Sequence, residues 1–176
     1  MNLEKELLNK QSLQTRNRMI KHIGRDETRF GALVSLFFKG EYRLTQHAAW
    51  PMSHCIHNYP NLAKPYFKKF IDHLSDRQAQ PAMRRNIVRL LQFVEIPKKF
   101  HGRIMDLCFQ FINSPGEAIA VKAFSLHILE NLSIQYPEII PELKAIIEER
   151  WAVETAAFRS RGRKILQKAE NLRPKS

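Results

Sequence analysis

The chain has 176 residues, of which 44% are hydrophobic and 26% are charged, as is ordinary for a soluble globular protein. Because 29 lysines and arginines oppose only 17 acidic residues, the net charge is +12 and an acidic partner is expected, either a protein or nucleic acid. The longest apolar run, Phe30 to Phe38, is too short to cross a bilayer, and the N-terminus lacks a signal-peptide pattern. These features exclude a membrane-spanning chain and predict a cytoplasmic protein.

Residues 1–40 predict atypical N-terminal helices. Residues 2–23 indicate one interrupted helix or two short ones, which Gly24 ends. Asp26 is a suitable N-cap for a helix over 27–39, which Gly40 ends. Together these segments predict a degenerate terminal repeat, of the kind that closes one end of a repeat array.

Residues 41–150 contain three pairs of amphipathic segments with a proline at the middle of each pair. These central prolines lie 37 and 40 residues apart, in the dipeptides Tyr59-Pro60, Ile96-Pro97 and Tyr136-Pro137. The first pair predicts a helix over 41–58, kinked at Pro51, and a second helix to Leu74 with Pro65 in its first turn.

The other two pairs continue the helical spacing. The second opens at Pro81, and the third covers Ala118 to Leu132 and then Ile139 to Ile147. A final basic helix over about 153–170 precedes the tail.

Several short motifs carry a family resemblance. They are Arg43 with Ala48-Ala49-Trp50, Arg84-Arg85-Asn86, Val121-Lys122-Ala123 with Leu126, Tyr59-Pro60-Asn61-Leu62 and Tyr136-Pro137-Glu138-Ile139. With a period of roughly 40 residues and two helices per unit, the chain resembles small bacterial members of the HEAT-like (armadillo-type) α-helical repeat family. The resemblance implies an all-α, right-handed α-α superhelix in a single domain over 1–176, with three hairpins at 41–150 and a C-terminal basic helix and tail at 151–176. A more distant likeness is to the HEAT-like alkylpurine DNA glycosylases, although no motif places their catalytic residues here.

The basic residues are unevenly distributed. Residues 1–113 carry 19 Lys and Arg against 9 Asp and Glu, residues 114–149 carry 2 against 6, and residues 150–176 carry 8 against 2. Second helices of stacked hairpins usually line the concave side, where a basic binding face is predicted. Its residues are Lys64, Lys68, Lys69, Lys98, Lys99 and Arg103, and the terminal helix adds Arg159 and Arg163.

Each basic group has an alternative interpretation. The groove residues can be an ordinary solvated face. The segment from Phe158 to Lys164 can pair with acids of the third hairpin, for example Glu148 or Glu149. A structural role on the convex side is favoured for Arg84, Arg85 and Arg89.

Other chemistry-bearing residues favour structural roles. Zinc binding by His47, His54 and His57 is disfavoured because no carboxylate completes the set on their helix. We expect Cys55 and Cys108 to be reduced core thiols. Trp50 and Trp151 are expected to pack between helices rather than stack on bases, and Asp106 is expected to be a charge partner.

The sequence therefore predicts a non-enzymatic binding or scaffold module with no catalytic residue, no metal and no cofactor. An acidic protein is the first choice of partner, and nucleic acid is the second. A base-excision enzyme is a third hypothesis, which a buried carboxylate beside an aromatic ring in the groove would favour.

Overall fold

The structure is a computed structural model that describes residues 1–76 and 78–171. These residues form ten α-helices and three 3₁₀ segments and contain no β-strand. None of the described helices is both long and apolar enough to span a membrane. The chain divides into two compact units, Met1–Ile96 and Pro97–Ser176, hereafter the N-terminal unit and the C-terminal unit.

The N-terminal unit is organised around one central helix. Its elements are α1 (Leu3–Leu8), α2 (Leu13–Ile23), α3 (Glu27–Phe38), α4 (Tyr42–Asn58), a 3₁₀ segment (Pro60–Tyr66), α5 (Phe67–Ser75) and α6 (Pro81–Leu91). Helices α1, α2, α3 and α6 all pack against α4. This position buries the apolar stripe Leu44, Ala48, Met52 and Ile56 completely. The helical periodicity of the sequence therefore corresponds to a real core.

Local signals define the first three helices, and the predicted Asp26 cap and Gly24 stop are among these signals. Side chains of Asn2, Ser12 and Asp26 each accept a hydrogen bond from a backbone N–H in the first turn of α1, α2 and α3. The chain leaves α2 at Gly24 and reaches α4 through Gly40, with φ of 52° and 89°. Both values favour glycine because other residues carry a Cβ that clashes in this conformation.

The second helix of the first hairpin starts later than the sequence predicts. Residues 60–66 form a 3₁₀ segment, and α5 begins only at Phe67. Pro65 thus lies inside the 3₁₀ segment and not in the first α-helical turn. Neither Pro60 nor Pro65 has an N–H to donate, which weakens α-helical bonding there. Helix α4, by contrast, continues through Pro51.

The C-terminal unit contains the remaining elements. They are a 3₁₀ segment (Lys98–Phe100), α7 (His101–Asn113), α8 (Ile119–Leu132), a 3₁₀ segment (Pro137–Ile139), α9 (Ile140–Arg150) and α10 (Ala156–Asn171). Helix α8 packs on α7 and α10, and α9 also contacts both of these helices. The last helix begins three residues later than predicted. The backbone N–H groups of Val153 and Glu154 first close a turn on the Arg150 carbonyl.

Repetition is visible in the backbone and in the stacking of helices. Tyr59 and Tyr136 adopt similar conformations, with φ/ψ of −138°/75° and −127°/66°, and each leads into a 3₁₀ segment. A residue before proline is kept out of the α region by steric clash, so both turns follow from the Tyr-Pro sequence. In the N-terminal unit, α6 bonds to α4 one repeat earlier, since Arg85 donates to the Gln46 side chain and Arg89 to the Ala49 carbonyl. The predicted all-α repeat class is confirmed.

Candidate functional site

The predicted basic residues of the first hairpin lie on a surface of mixed character. Lys64, Lys68 and Lys69 are all exposed. The Lys68 ammonium pairs with Asp72 at 2.6 Å, and the Lys69 ammonium lies 4.3 Å from the centroid of the Phe38 ring. A shallow cleft of about 510 Å³ is lined by both lysines, Phe38, Pro65, Asp72, His73 and Asp76. Cations, carboxylates and an aromatic ring therefore share one surface.

The basic residues of the second hairpin surround the start of α7. Lys98 and Lys99 belong to the 3₁₀ segment and Arg103 to the first turn of α7, and all three are exposed. The Lys99 ammonium lies 5.0 Å from the centroid of the Phe100 ring. These residues belong to the C-terminal unit, whereas Lys64, Lys68 and Lys69 belong to the N-terminal unit. The single basic groove that the sequence predicts for both groups stays a prediction.

The terminal basic segment has two roles. Arg163 is exposed, with its guanidinium 6.0 Å from the centroid of the Trp151 ring. Arg161 instead donates from Nη1 to Oε2 of Glu130 on α8, at 3.3 Å. The pairing alternative is thus correct for Arg161, but the acid is Glu130 and not Glu148 or Glu149. Glu148 pairs with Lys144 at 3.5 Å.

Arg84, Arg85 and Arg89 have structural contacts. Arg84 donates to the Asp76 carbonyl, and Arg85 and Arg89 connect α6 with α4 as described above. Burial is the main cause that lowers the pKa of the Arg89 guanidinium, followed by the charge of Arg85. The structural interpretation of this group is supported.

Both tryptophans pack against their own unit. Trp50 lies 3.9 Å from His54 between ring centroids, and the Arg16 guanidinium lies 5.2 Å from its ring. Trp151 lies beside Gly162 of α10, where an added Cβ would come within 3.3 Å of the indole and 2.9 Å of Ile147. The predicted packing role fits both indoles better than base stacking.

The histidines of α4 do not converge on one point. His47 Nδ1 lies 2.6 Å from the Leu7 carbonyl oxygen, His54 contacts Trp50, and His57 contacts the Phe93 ring. Among residues 1–76 and 78–171, no three His, Cys, Asp or Glu side chains are placed to hold a metal ion. Both cysteines are buried, which raises the pKa of each thiol to about 12. Thiols with such pKa values stay protonated and are poor nucleophiles.

A buried ion-pair cluster around Glu154 was not predicted. The Glu154 carboxylate accepts hydrogen bonds from Lys122 of α8 at 2.6 Å and from Arg150 of α9 at 2.6 and 2.9 Å. The side chains of Lys122 and Glu154 are each only 5% exposed. Burial alone would raise the pKa of the Glu154 carboxyl, but Lys122 and Arg150 outweigh it and hold the pKa below its usual range. The cluster joins α8 to the turn after α9.

A second buried carboxylate, Glu130, connects α8 to α10. It accepts hydrogen bonds from Arg161 and Lys168. Burial would raise the pKa of this carboxyl, but the hydrogen bond and charge of Lys168 and the charge of Arg161 lower it on balance. The same charged residues act on His127 of α8. Burial is the main cause that lowers the pKa of its imidazole, followed by the charge of Arg161.

Glu130 also lines a largely apolar pocket. This pocket has a volume of about 570 Å³ and lies within the C-terminal unit. Its other lining residues are Ser133, Ile134, Pro137, Ile140, Ile165, Lys168 and Ala169. Sequence reasoning missed both the pocket and the buried charges beside it. A signal was present, because Lys122 and Glu130 are the only Lys, Arg, Asp or Glu in α8, a helix with apolar residues on most of its surface. Charges in such a helix indicate buried partners.

One comparison with known proteins gives a match. The family model of the HEAT repeat domain matches residues 3–169. No curated protein and no solved structure matches the chain. The likeness to alkylpurine DNA glycosylases has no support from these comparisons and stays a hypothesis. Because the match spans nearly the whole sequence, the chain belongs to the HEAT repeat domain family.

Proposed function

We propose that this chain is a non-catalytic scaffold module that binds an acidic region of a partner protein. The exposed basic residues are the observation that carries the proposal. Lys64, Lys98 and Lys99 are exposed, and none of them has an ion-pair partner in the part of the chain that the structure describes. With a net charge of +12, such residues attract an acidic surface over long range.

The surroundings of these residues favour a protein over nucleic acid. Lys69 and Lys99 lie against the rings of Phe38 and Phe100, and Asp72 offsets the charge of Lys68. A carboxylate among the cations would repel phosphates, whereas mixed apolar and charged surfaces are ordinary in protein interfaces. Both tryptophans are already in contact with neighbouring side chains, which leaves less ring surface for stacking on bases.

The buried reactive groups support a non-catalytic role. Two cations hold each of the carboxylates of Glu130 and Glu154, and the pKa of each is lowered. A carboxylate with saturated partners and a low pKa is a poor general base at neutral pH. The two protonated thiols are no better as nucleophiles.

Affinity capture with charge-reversed variants tests the proposal. Changing Lys64, Lys98 and Lys99 to Glu lowers the net charge from +12 to +6. We expect this triple variant to lose most of its captured protein from nuclease-treated extract, with the bound proteins identified by mass spectrometry. The matched control changes the exposed Lys5, Lys10 and Lys21 to Glu and has the same net charge. Equal loss in both variants would mean that capture depends on net charge and not on these three lysines.

Oligonucleotide titration separates the second candidate partner, nucleic acid. Fluorescent duplex and single-stranded oligonucleotides are titrated at two salt concentrations. A protein-binding module should bind DNA weakly and lose this binding by physiological salt. A nucleic-acid-binding module should show a salt slope of about 0.9 per phosphate contacted on duplex DNA, which Lys99→Ala reduces by about one. Arg85→Ala is the control, because Arg85 contacts Gln46.

A further inference from the structure

The pocket in the C-terminal unit presents an open apolar surface. Five of its lining residues are aliphatic or proline: Ile134, Pro137, Ile140, Ile165 and Ala169. Ile134 at its rim is 78% exposed, among the most exposed large hydrophobic residues of the described chain. A volume of about 570 Å³ falls inside the range of roughly 300–1,000 Å³ that binding pockets occupy. An open, mostly apolar pocket of this volume can hold the side chains of another molecule.

A basic strip runs along α10 beside this pocket. Arg161, Lys164 and Lys168 follow the spacing i, i+3 and i+7, which places them on one face of the helix. All three, together with Glu130, act on the pKa of the His127 imidazole, so the four charges lie around one point of α8. Glu130 is the one acid in this group and offsets a single positive charge. Of these four residues, Glu130 and Lys168 line the pocket itself, and the group as a whole carries a net charge of +2 beside it.

The length of the strip indicates the kind of ligand. Seven residues of α-helix span about 10 Å at a rise of about 1.5 Å per residue. A small aliphatic acid would occupy the pocket and use one cation. Three cations in a row match a segment that carries several carboxylates at helical spacing next to its apolar residues.

We propose that this pocket receives the aliphatic side chains of an acidic amphipathic helix of the partner protein, whose carboxylates face Arg161, Lys164 and Lys168. The inference rests on the proposed function and names the part of the partner that enters this unit. Ile134 and Ile165 contact the apolar anchors, which occupy positions i, i+3 or i+4 and i+7 of the partner helix. Lys164 has no ion-pair partner among the described residues and is available to a partner carboxylate.

Methyl NMR of the full chain tests this docking site. Ile134, Ile140 and Ile165 provide three δ1 methyl probes in the pocket, and Ile71 and Ile87 of the N-terminal unit provide control signals. The ligand is a synthetic helix with leucines on one face and glutamates on the other. Two control peptides have the same composition in scrambled order, or lysines in place of the glutamates. We expect saturable shifts of the three pocket methyls with the acidic amphipathic peptide alone.

Two exposed isoleucines provide a matched pair of variants. Ile134→Ser removes an apolar contact without opening the core, and we expect it to weaken binding by roughly tenfold or more. Ile119→Ser is the control, since Ile119 is 55% exposed on α8 outside the pocket. Lys164→Glu should also lower the affinity for the acidic amphipathic peptide. Unchanged affinity in Ile134→Ser, equal binding of the lysine peptide, or no pocket shift at millimolar peptide would each overturn the inference.

The outcomes separate this inference from the proposed function. Suppose that Lys64, Lys98 and Lys99 are required for capture of a protein partner but Ile134→Ser captures it normally. The pocket inference then fails and the proposed function stands. Suppose instead that the peptide binds the pocket but the triple variant captures protein as well as its control does. The proposed role of Lys64, Lys98 and Lys99 then fails, and the pocket inference stands.

Discussion

The two units bury their polar groups in different ways. In the N-terminal unit, the central α4 is held by hydrogen bonds in which at least one partner is neutral. The Thr45 hydroxyl donates to the Phe37 carbonyl at 2.9 Å, the His47 ring lies 2.6 Å from the Leu7 carbonyl oxygen, and Arg89 donates to the Ala49 carbonyl. In the C-terminal unit, α8 is held by the carboxylates of Glu154 and Glu130 with their cations. The ion pairs of the N-terminal unit, such as Arg18 with Glu6, are more exposed.

This difference has consequences for stability. A neutral hydrogen bond contributes about 1 kcal/mol and depends little on pH. Buried ion pairs roughly balance their own desolvation cost, but removing one partner strands a charge in the interior. The C-terminal unit should therefore be more sensitive to charge removal and to acid. Each unit contains one tryptophan, Trp50 or Trp151, so single-tryptophan proteins report on each unit separately.

The largest effect is expected at Glu154. Glu154→Ala leaves the buried Lys122 without its partner and should lower the free energy of unfolding by about 3–5 kcal/mol. Denaturant titration followed by Trp151 fluorescence in a Trp50→Phe background measures the change. Glu148→Ala breaks a more exposed pair with Lys144 and should cost only about 0.3–0.5 kcal/mol. Similar costs for both changes would contradict the stranded-charge explanation.

Core leucines test whether the two units unfold together. Leu90 in the N-terminal unit and Leu126 in the C-terminal unit are fully buried, and Leu107 is 8% exposed. Replacing each with Ala should cost about 2–5 kcal/mol because it removes contacts and leaves a cavity. The single domain over 1–176 that the sequence predicts would have one continuous core, in which Leu90→Ala shifts the transitions reported by Trp50 and by Trp151 equally. A shift of the Trp50 transition alone would show that the units are energetically independent.

Two glycines of the C-terminal unit should respond in opposite directions. Gly162→Ala would place a Cβ 2.9 Å from Ile147 Cγ2, so we expect a loss of about 1–3 kcal/mol. Gly102 of α7 has open space around its Cα, and Gly102→Ala should stabilise the protein by about 0.4–1 kcal/mol. Thermal unfolding of both variants measures the contrast. Stabilisation by Gly162→Ala would mean that α10 packs less closely on α9 than the structure shows.

Acid should weaken the C-terminal unit more than the N-terminal unit. The folded-state pKa values of Glu130 and Glu154 are lowered, so their contribution is fully present above the ordinary glutamate value of about 4.3. It is lost as the pH falls through the folded values, which makes the loss at pH 4 partial. Histidines with lowered pKa values occur in both units, among them His54 and His127, and they weaken both units below about pH 6.5.

The measurement compares unfolding at pH 5 and pH 4 with the two single-tryptophan proteins. The Trp151 transition should move to lower denaturant concentration by more than the Trp50 transition. Glu154→Gln, which cannot ionise, should reduce this difference. If Leu90→Ala shows that the units unfold independently, equal movement of both transitions would contradict the assignment of acid sensitivity to these carboxylates. If the units unfold together, an acid response unchanged by Glu154→Gln would contradict it.

The sequence alone determined the helices and their repetition. Apolar spacing, the Asp26 cap, Gly24 and the prolines act within about four residues, so local steric and hydrogen-bonding rules define the helices that they border. The 3₁₀ segment at Pro60 and Pro65 is also a local effect, because two prolines without an N–H disfavour α-helical bonding there. In the structure, seven of the eight predicted basic residues are exposed and Arg159 is half-buried. The sequence could not show which of them pack on aromatic rings, as Lys69 and Arg163 do.

Only the tertiary structure decided the partners of the buried charges. Lys122 meets Glu154 across 32 residues of sequence, and Glu130 meets Lys168 across 38. Periodicity says that both residues of α8 lie in a largely apolar helix, but it does not say which helix brings the opposite charge. The apolar pocket has the same origin, because its walls come from α8, α9, α10 and the turn before α9. Contacts between distant segments depend on how the helices pack, which residue spacing within one helix does not encode.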